Sequence, residues 1–415
     1  MTAARPRLAF ISPSFLFPND AGGKIRTTNV LRGLKDGACE TTLVSPASTA
    51  QQAEWTPQLQ GACDHFVGWQ PVPVRPRWQR AFSLLGDVPV NVAADRSAVA
   101  LQAVQRVLAQ TAFDVVVFDF VHAAVLRPPT TGAAATVCFT HNVEAEIFAR
   151  HAKQASNPLM QKVWALQHAK MLNFEGDALR SFDSVIAVSE RDAAFFARDY
   201  GVAAPQTIPT GVDLDFFAWQ APPPVNADHP PTVVFTGTMD WAANIDGINF
   251  FLAEVWPLVQ AELPEARFVI VGRNPPAALL EQTKALRGVT CTGFVDDVRP
   301  HVHGAHAFVI PLRVGGGTRI KAFEAMAMGC PVVSTAIGIE GLDVEAGEHF
   351  LLRDSAADQA RAVLDLLRDP ELRGDLSQRA RHCVEDRFGH RVAAQVFEQI
   401  CLGALAERRA RTRAA

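Results

Sequence analysis

The stretch Pro311-Leu-Arg-Val-Gly-Gly-Gly-Thr-Arg-Ile-Lys-Ala-Phe-Glu-Ala-Met-Ala-Met-Gly-Cys-Pro-Val-Val-Ser-Thr335 reads as the end of a strand, a triple-glycine turn, an amphipathic helix and a second buried strand. Gly315, Gly316 and Gly317 let the backbone approach a ligand closely, and Thr318 is placed to cap a helix that buries Ile320, Phe323 and Met326 or Ala327. The mouth of that helix offers free N–H groups to an anion. Arg319 and Lys321 fall in the first turn, where the helix dipole disfavours cations, so a negative group is expected beside them. A phosphate or diphosphate would satisfy the turn amides, the dipole and both cations together. Glu324 lies three residues after Lys321 and can face the same ligand edge, where a carboxylate suits paired hydroxyls such as those of a ribose. The competing reading leaves Arg319 and Lys321 solvated and makes Glu324 a surface partner of Lys321.

The same alternation of short β-rich runs with helical patterns continues on both sides, which predicts parallel sheets covered by helices. Strands are expected at Leu8–Ser12, Thr41–Ser45, Asp64–Val67, Asp114–Phe118, Thr136–Thr140 and Ser184–Val188, with helical periodicity at 24–36, 97–110, 143–151, 158–180 and 190–199. A second series follows Thr210-Gly-Val-Asp213 and the proline-rich crossing 221–231, with strands at Thr232–Phe235, Arg267–Val271, Val289–Thr292, Ala307–Pro311, Pro331–Ser334 and His349–Leu352. The fold class is α/β: two Rossmann-like, doubly wound domains, expected to face a cleft. The expected division is 1–208 for the first domain and 209–385 for the second, with 386–415 a C-terminal helix.

Length and charge narrow the function. A chain of 415 residues holds two to three domains with cores of their own, and a net charge of −4 gives no global attraction to nucleic acid. Seven cysteines are scattered without CxxC pairs or metal-ligand spacing, which fits small core residues in a reducing, cytoplasmic compartment. The N-terminus reads directly into a strand with no signal-peptide core, and no apolar run approaches the ~20 residues that span a bilayer. Any membrane association would then be peripheral.

In open α/β sheets ligands collect beyond the carboxyl ends of the strands. The loop Ser14–Lys24 carries Gly22 and Gly23, which admit a ligand to the start of the first helix or serve only to turn the chain. Thr140-His-Asn-Val-Glu144 breaks a strand into polar residues; His141 is a contact candidate there, unless it or Asn142 simply caps the next helix. The first βα turn lacks GxGxxG, and the second strand ends in Val44-Ser-Pro46 instead of a ribose-binding acid, so a nicotinamide site is excluded. Gly23-Lys24 is not a Walker loop, and no nucleophile elbow occurs at a strand end.

The block from Gly315 to Val333 resembles the donor-site signature of glycosyltransferase family 4, retaining nucleotide-sugar enzymes of the GT-B fold. Pro209-Thr-Gly-Val-Asp213, Thr292-Gly-Phe-Val295 and the Gly22-Gly23 and His141 loops match in order and position. The Phe235-Thr-Gly-Thr-Met-Asp-Trp-Ala-Ala-Asn244 opening is similar to that of bacterial exopolysaccharide-associated sugar transferases. The resemblance implies that Glu324 binds the donor ribose, that the amides of Gly315, Gly316, Gly317 and Thr318 hold the diphosphate or the sugar, and that Phe294 and Val295 meet the base. It also implies that Gly22 and Gly23 close on the phosphates and that His141 touches the transferred sugar. Two departures stand out. The family's first glutamate is replaced by Gly316, and the usual Arg/Lys pair after the first strand of the second domain is missing, so Arg319 and Lys321, with Arg313, are expected to neutralise the diphosphate.

No metal or cofactor is expected if those cations and the helix mouth carry the leaving-group charge. The implied partners are a nucleotide-sugar donor and a glycan or lipid-linked acceptor, in cell-surface polysaccharide synthesis at the inner face of the membrane. Segment 75–85 mixes Arg75, Arg77 and Arg80 with Trp78, Phe82 and Leu85, which suits a membrane surface or an ordinary amphipathic helix packed on its domain. A GT-B sugar-nucleotide epimerase and a catalytically silent partner subunit are the alternatives.

Overall fold

A computed structural model describes residues 4–19, 21–35, 37–71, 84, 86–154, 157–314 and 319–414. Gly315, Gly316, Gly317 and Thr318 lie outside the described residues, as does nearly all of the 75–85 segment. The chain divides into two compact units, Met1–Gly211 with His390–Ala415, and Val212–Gly389.

The first unit is built on seven parallel strands: β1 (Arg7–Ile11), β2 (Glu40–Pro46), β3 (His65–Trp69), β4 (Val115–Asp119), β5 (Ala135–Phe139), β6 (Ser184–Ala187) and β7 (Gln206–Thr207), in the order β3-β2-β1-β4-β5-β6-β7. The central strands are apolar throughout because helices cover both faces. Leu8 and Phe10 enter one core with Phe139 and, from the C-terminal helix His390–Ala414, Phe397; Ala9 and Ile11 enter the other with Phe118 and Val185. Phe397 meets the ring of Phe139 edge-on at 5.2 Å, so the last helix of the chain completes the core of the first unit.

The second unit repeats the plan with six parallel strands: β8 (Thr232–Thr236), β9 (Arg267–Val271), β10 (Val289–Gly293), β11 (Ala307–Ile310), β12 (Val332–Ser334) and β13 (Leu351–Leu352), ordered β10-β9-β8-β11-β12-β13. Val233 and Phe235 face one core with Phe251, Trp256 and Phe268; Val234 faces the other with Phe308, Ile310 and Phe323. In each sheet the strand order reverses beside the first strand, between β1 and β4 and between β8 and β11. These are the switch points where an open sheet leaves a crevice for ligand.

Helix boundaries follow the sequence periodicity to within two or three residues at Gly22–Leu34, Ala98–Gln110, Glu144–Gln154, Pro158–Arg180 and Glu190–Tyr200. The helix after the glycine turn is Ile320–Ala327, with Arg319 at its N-cap position in place of the expected Thr318 and no side-chain capping bond. Among the described residues no helix is long and apolar enough to cross a membrane.

Candidate active site

The switch point of the first sheet holds a buried polar cluster. Parallel register sets Ile11 beside Phe118 and Asp119 beside Phe139, so Ser12, Asp119 and His141 leave adjacent strands at the same edge. Asp119 has no exposed surface. Its carboxylate accepts from Ser12 Oγ at 3.0 Å, from Thr27 Oγ1 at 3.0 and 3.2 Å, and from His141 Nε2 at 2.8 Å. That bond places the imidazole proton on Nε2. His141 Nδ1 is buried and has no hydrogen-bond partner among the described residues, so it presents a bare acceptor. Burial holds the His141 pKa below its ordinary value, against the pull of Asp119, and the ring is neutral at neutral pH.

Phe120 clamps the cluster. Its φ of 62° is one a side chain rarely adopts and costs about 1–3 kcal/mol, and its ring stacks on His141 with centroids 3.9 Å apart. A Cβ on Gly23 would lie 2.4 Å from the tip of that ring, so position 23 must be glycine for the helix and Phe120 to pack as they do. Among the described residues a Cβ on Gly22 would meet nothing within 4 Å. His141 and Gly23 are thus joined through Phe120, whereas Ser12, Thr27 and Asp119 are residues the sequence reading passed over. Asp119 carried a readable signal, as the one acid closing the apolar strand Val115-Val-Val-Phe-Asp119.

The switch point of the second sheet collects charge. Lys321 Nζ donates to Asn244 Oδ1 at 3.1 Å and sits 4.3 Å from the centroid of the Phe235 ring. Asn244 is 2% exposed and fixes its own orientation by donating Nδ2 to the Thr238 carbonyl at 2.8 Å. A Cβ on Gly237 would fall 2.7 Å from Lys321 Nζ and 2.8 Å from Asn244 Nδ2, and one on Gly272 would fall 1.8 Å from the Gly237 carbonyl oxygen. The two glycines meet back to back at the ends of β8 and β9, and this contact opens the seat that Lys321 occupies. Neither Gly237 nor Asn244 was singled out from sequence, although both stand in the stretch where a cationic pair was expected.

Lys321 and Glu324 lie one turn apart on helix Ile320–Ala327, both partly buried, and no described carboxylate is within ion-pair distance of the ammonium. Burial pulls the Lys321 pKa down to about 7; Glu324 opposes the change and Arg319 adds to it. Burial pushes the Glu324 carboxyl up to about 7, with Lys321 opposing. Burial makes ionising both costly, and a bound anion offsets that cost for Lys321. Arg319 is 3% exposed and donates Nε to the Ile337 carbonyl at 3.1 Å, so part of its fork is committed to the protein. Arg313, expected to share in neutralisation, is instead held bidentately by Asp246, at 3.0 Å from Nε and 2.7 Å from Nη2. At the end of β10, Phe294 is 71% exposed and Val295 is partly buried.

Comparison with known proteins bears on this arrangement. Residues 21–216 match the model described as Glycosyltransferase Family 4, and residues 230–369 match the model described as Glycosyl transferases group 1. The chain is 21% identical over 287 residues to an uncharacterized 44.6 kDa protein in the cps region of Klebsiella pneumoniae, covering 66% of this chain and 71% of that protein. It is 31% identical over 199 residues to a phosphatidyl-myo-inositol mannosyltransferase of Mycolicibacterium smegmatis, covering 46% of this chain and half of that protein's length, 50%. Among solved structures, HepE of Anabaena in complex with UDP superposes with a TM-score of 0.61 at 14% identity, over 95% of this chain and 98% of that one. Two parallel-sheet units matched in turn by two glycosyltransferase models define the architecture as GT-B, and the chain belongs to the family 4 and group 1 glycosyltransferases.

Proposed function

We propose that the protein moves a sugar from a nucleoside diphosphate sugar to a glycan or lipid-linked acceptor with retention of configuration, in the synthesis of a cell-surface polysaccharide. The observation that carries this reading is the Lys321 seat: a partly buried ammonium, without a carboxylate at ion-pair distance among the described residues, at the mouth of a helix and at the switch point of its sheet. Breaking the bond between C1 and the phosphate oxygen leaves negative charge on the diphosphate, which Lys321, Arg319 and the helix amides are placed to stabilise. A new bond forms from C1 to the acceptor oxygen on the same face, and the acceptor proton passes to the departing phosphate. Glu324 takes the ribose hydroxyls, Phe294 and Val295 meet the base, Gly22 and Gly23 admit the phosphates, and His141 Nδ1 accepts from a hydroxyl of the transferred sugar. Gly315, Gly316, Gly317 and Thr318 are assigned to the same anion by sequence alone. The cps-region relative supports the polysaccharide context, and HepE's complex with UDP makes uridine nucleotides the first to test.

Thermal unfolding of the purified chain against UDP, GDP, ADP and their sugar conjugates tests the reading. One base is expected to raise Tm by a few degrees, and Glu324→Ala to abolish the rise, since a ligand at a hundredfold its Kd contributes about 2.7 kcal/mol. Absence of any nucleotide effect would overturn the donor assignment. Donor binding with neither hydrolysis nor transfer under any acceptor would favour a silent subunit.

The two shifted groups also set a pH dependence. The cost of Lys321, whose pKa is depressed, is absent above its unfolded value of 10.5 and fully felt once pH has fallen through about 7. The cost of Glu324, whose pKa is raised, is absent below 4.5 and fully felt once pH has risen through about 7. Without ligand, this pair stabilises the second unit least near neutrality. A diphosphate needs the ammonium form, so a nucleotide sugar is expected to raise Tm more at about pH 6.5 than at about pH 9, and Lys321→Met to flatten the difference. Equal shifts at both pH values in the wild type would detach Lys321 from the diphosphate.

A further inference from the structure

Helix Gly22–Leu34 begins after Ala21 with no side-chain cap and no acidic residue in its first turn. Arg26 sits one turn in from Gly22, and side chains on a helix lean towards its N-terminus. It is 7% exposed, and its Nε is fully buried with no hydrogen-bond partner. Among the described residues no side chain forms an ion pair or hydrogen bond with the guanidinium. Asp192, the carboxylate that acts on it most strongly, does so through space; its Oδ1 accepts from Arg191 Nη1 at 3.3 Å, while its own backbone amide donates to Ser189 Oγ at 3.1 Å. Burial lowers the Arg26 pKa to about 10, with Asp192 opposing. Close by, and acted on by Arg26, His141 also has a buried nitrogen without a partner.

Buried guanidinium groups are ordinarily paired, because an isolated charge taken out of water costs far more than a neutral side chain of the same size. The neighbouring glycines leave backbone amides at the helix start accessible, and the dipole there favours negative charge. We infer that Arg26, with the open first turn of helix Gly22–Leu34, binds an oxyanion, a phosphate or carboxylate carried by one of the substrates. Which substrate carries it rests on the transferase reading; that the site takes an oxyanion does not. An anionic group on the acceptor and the diphosphate of the donor are the two sources. The fork geometry of arginine matches either anion bidentately.

The test uses the full chain with Arg26→Gln and Arg26→Lys. Without ligand, Arg26→Gln is expected to raise Tm by about 2–4 °C, because an uncompensated charge is removed; a structural arginine would give the opposite sign. With inorganic phosphate or pyrophosphate as probe, and Lys321→Met in the background to silence the second unit, the anion-dependent rise in Tm is expected to disappear in Arg26→Gln and to survive in part in Arg26→Lys. With Lys321 intact, a UDP-dependent rise that survives Arg26→Gln assigns the anion to the acceptor, and one that is lost assigns it to the donor. A lower Tm in Arg26→Gln together with an unchanged phosphate response would overturn the inference. If the nucleotide effect still depends on Glu324 in that case, the transferase reading stands without it; if no nucleotide binds at all while phosphate still requires Arg26, the reading fails and the anion site stands.

Discussion

Lys321→Met is expected to lower kcat by about 10²–10³-fold with a smaller change in donor KM, a loss of about 2.7–4 kcal/mol of transition-state stabilisation. The effect comes from the charge that develops. On the proposed transferase reading the donor's diphosphate already carries negative charge, and bond breaking adds to it at the leaving oxygen. A cation fixed in advance gains most from that increment, and Lys321 is fixed from three sides. Asn244 Oδ1 receives its proton, the Phe235 ring lies beneath it, and the absence of a side chain at Gly237 leaves it room. Methionine matches the length of the side chain and its fit against the ring while removing the charge, so a fall in kcat would report electrostatics and not packing. Steady-state transfer, or donor hydrolysis where no acceptor is known, gives the measurement. Unchanged kcat would mean that Arg319 and the helix amides suffice and that Lys321 is structural.

The two sheets were legible because the information is local and repeated. Val115-Val-Val-Phe118 and Phe308-Val-Ile310 are apolar on both faces, as strands buried between helix layers must be, and the first is closed by the acid Asp119. The elements the sequence reading passed over are short or weakly patterned. β7 has two residues, and helices Thr49–Glu54 and Thr56–Ala62 are one to two turns each. The candidate site was legible where one segment contains it, as with Arg319, Lys321 and Glu324. It was illegible where distant residues meet. Nothing local says that Gly237 and Gly272, on neighbouring strands, touch back to back, or that a phenylalanine at position 120 makes glycine obligatory at position 23. Arg313 shows the opposite error. Sequence proximity to the glycine turn made it a candidate, but Asp246, on the helix that follows β8, holds it in a bidentate pair over Phe250.

Asp119→Ala is expected to destabilise the first unit by about 2–6 kcal/mol, since each buried donor left without an acceptor costs about 1–3 kcal/mol. Three donors converge on this carboxylate from three separate elements: Ser12 after β1, Thr27 on helix Gly22–Leu34 and His141 after β5. Truncation leaves Thr27 Oγ1 and His141 Nε2 without this acceptor in a buried space, each at its own desolvation cost, while Ser12 Oγ keeps the Ser14 carbonyl at 3.0 Å. Urea unfolding is the measurement, with Asp119→Asn as the companion: the amide keeps the volume and one acceptor oxygen, so its loss is expected to be nearer 1–3 kcal/mol. The pair of variants separates stability from function. In Asp119→Asn the fold is expected to survive, but the bond that keeps the proton on His141 Nε2 is weakened, and with it the bare Nδ1 proposed to meet the sugar. Turnover is then expected to fall by more than folded fraction alone explains. If activity instead tracks the folded fraction in both variants, the cluster is a structural clamp and His141 does not meet the sugar through Nδ1.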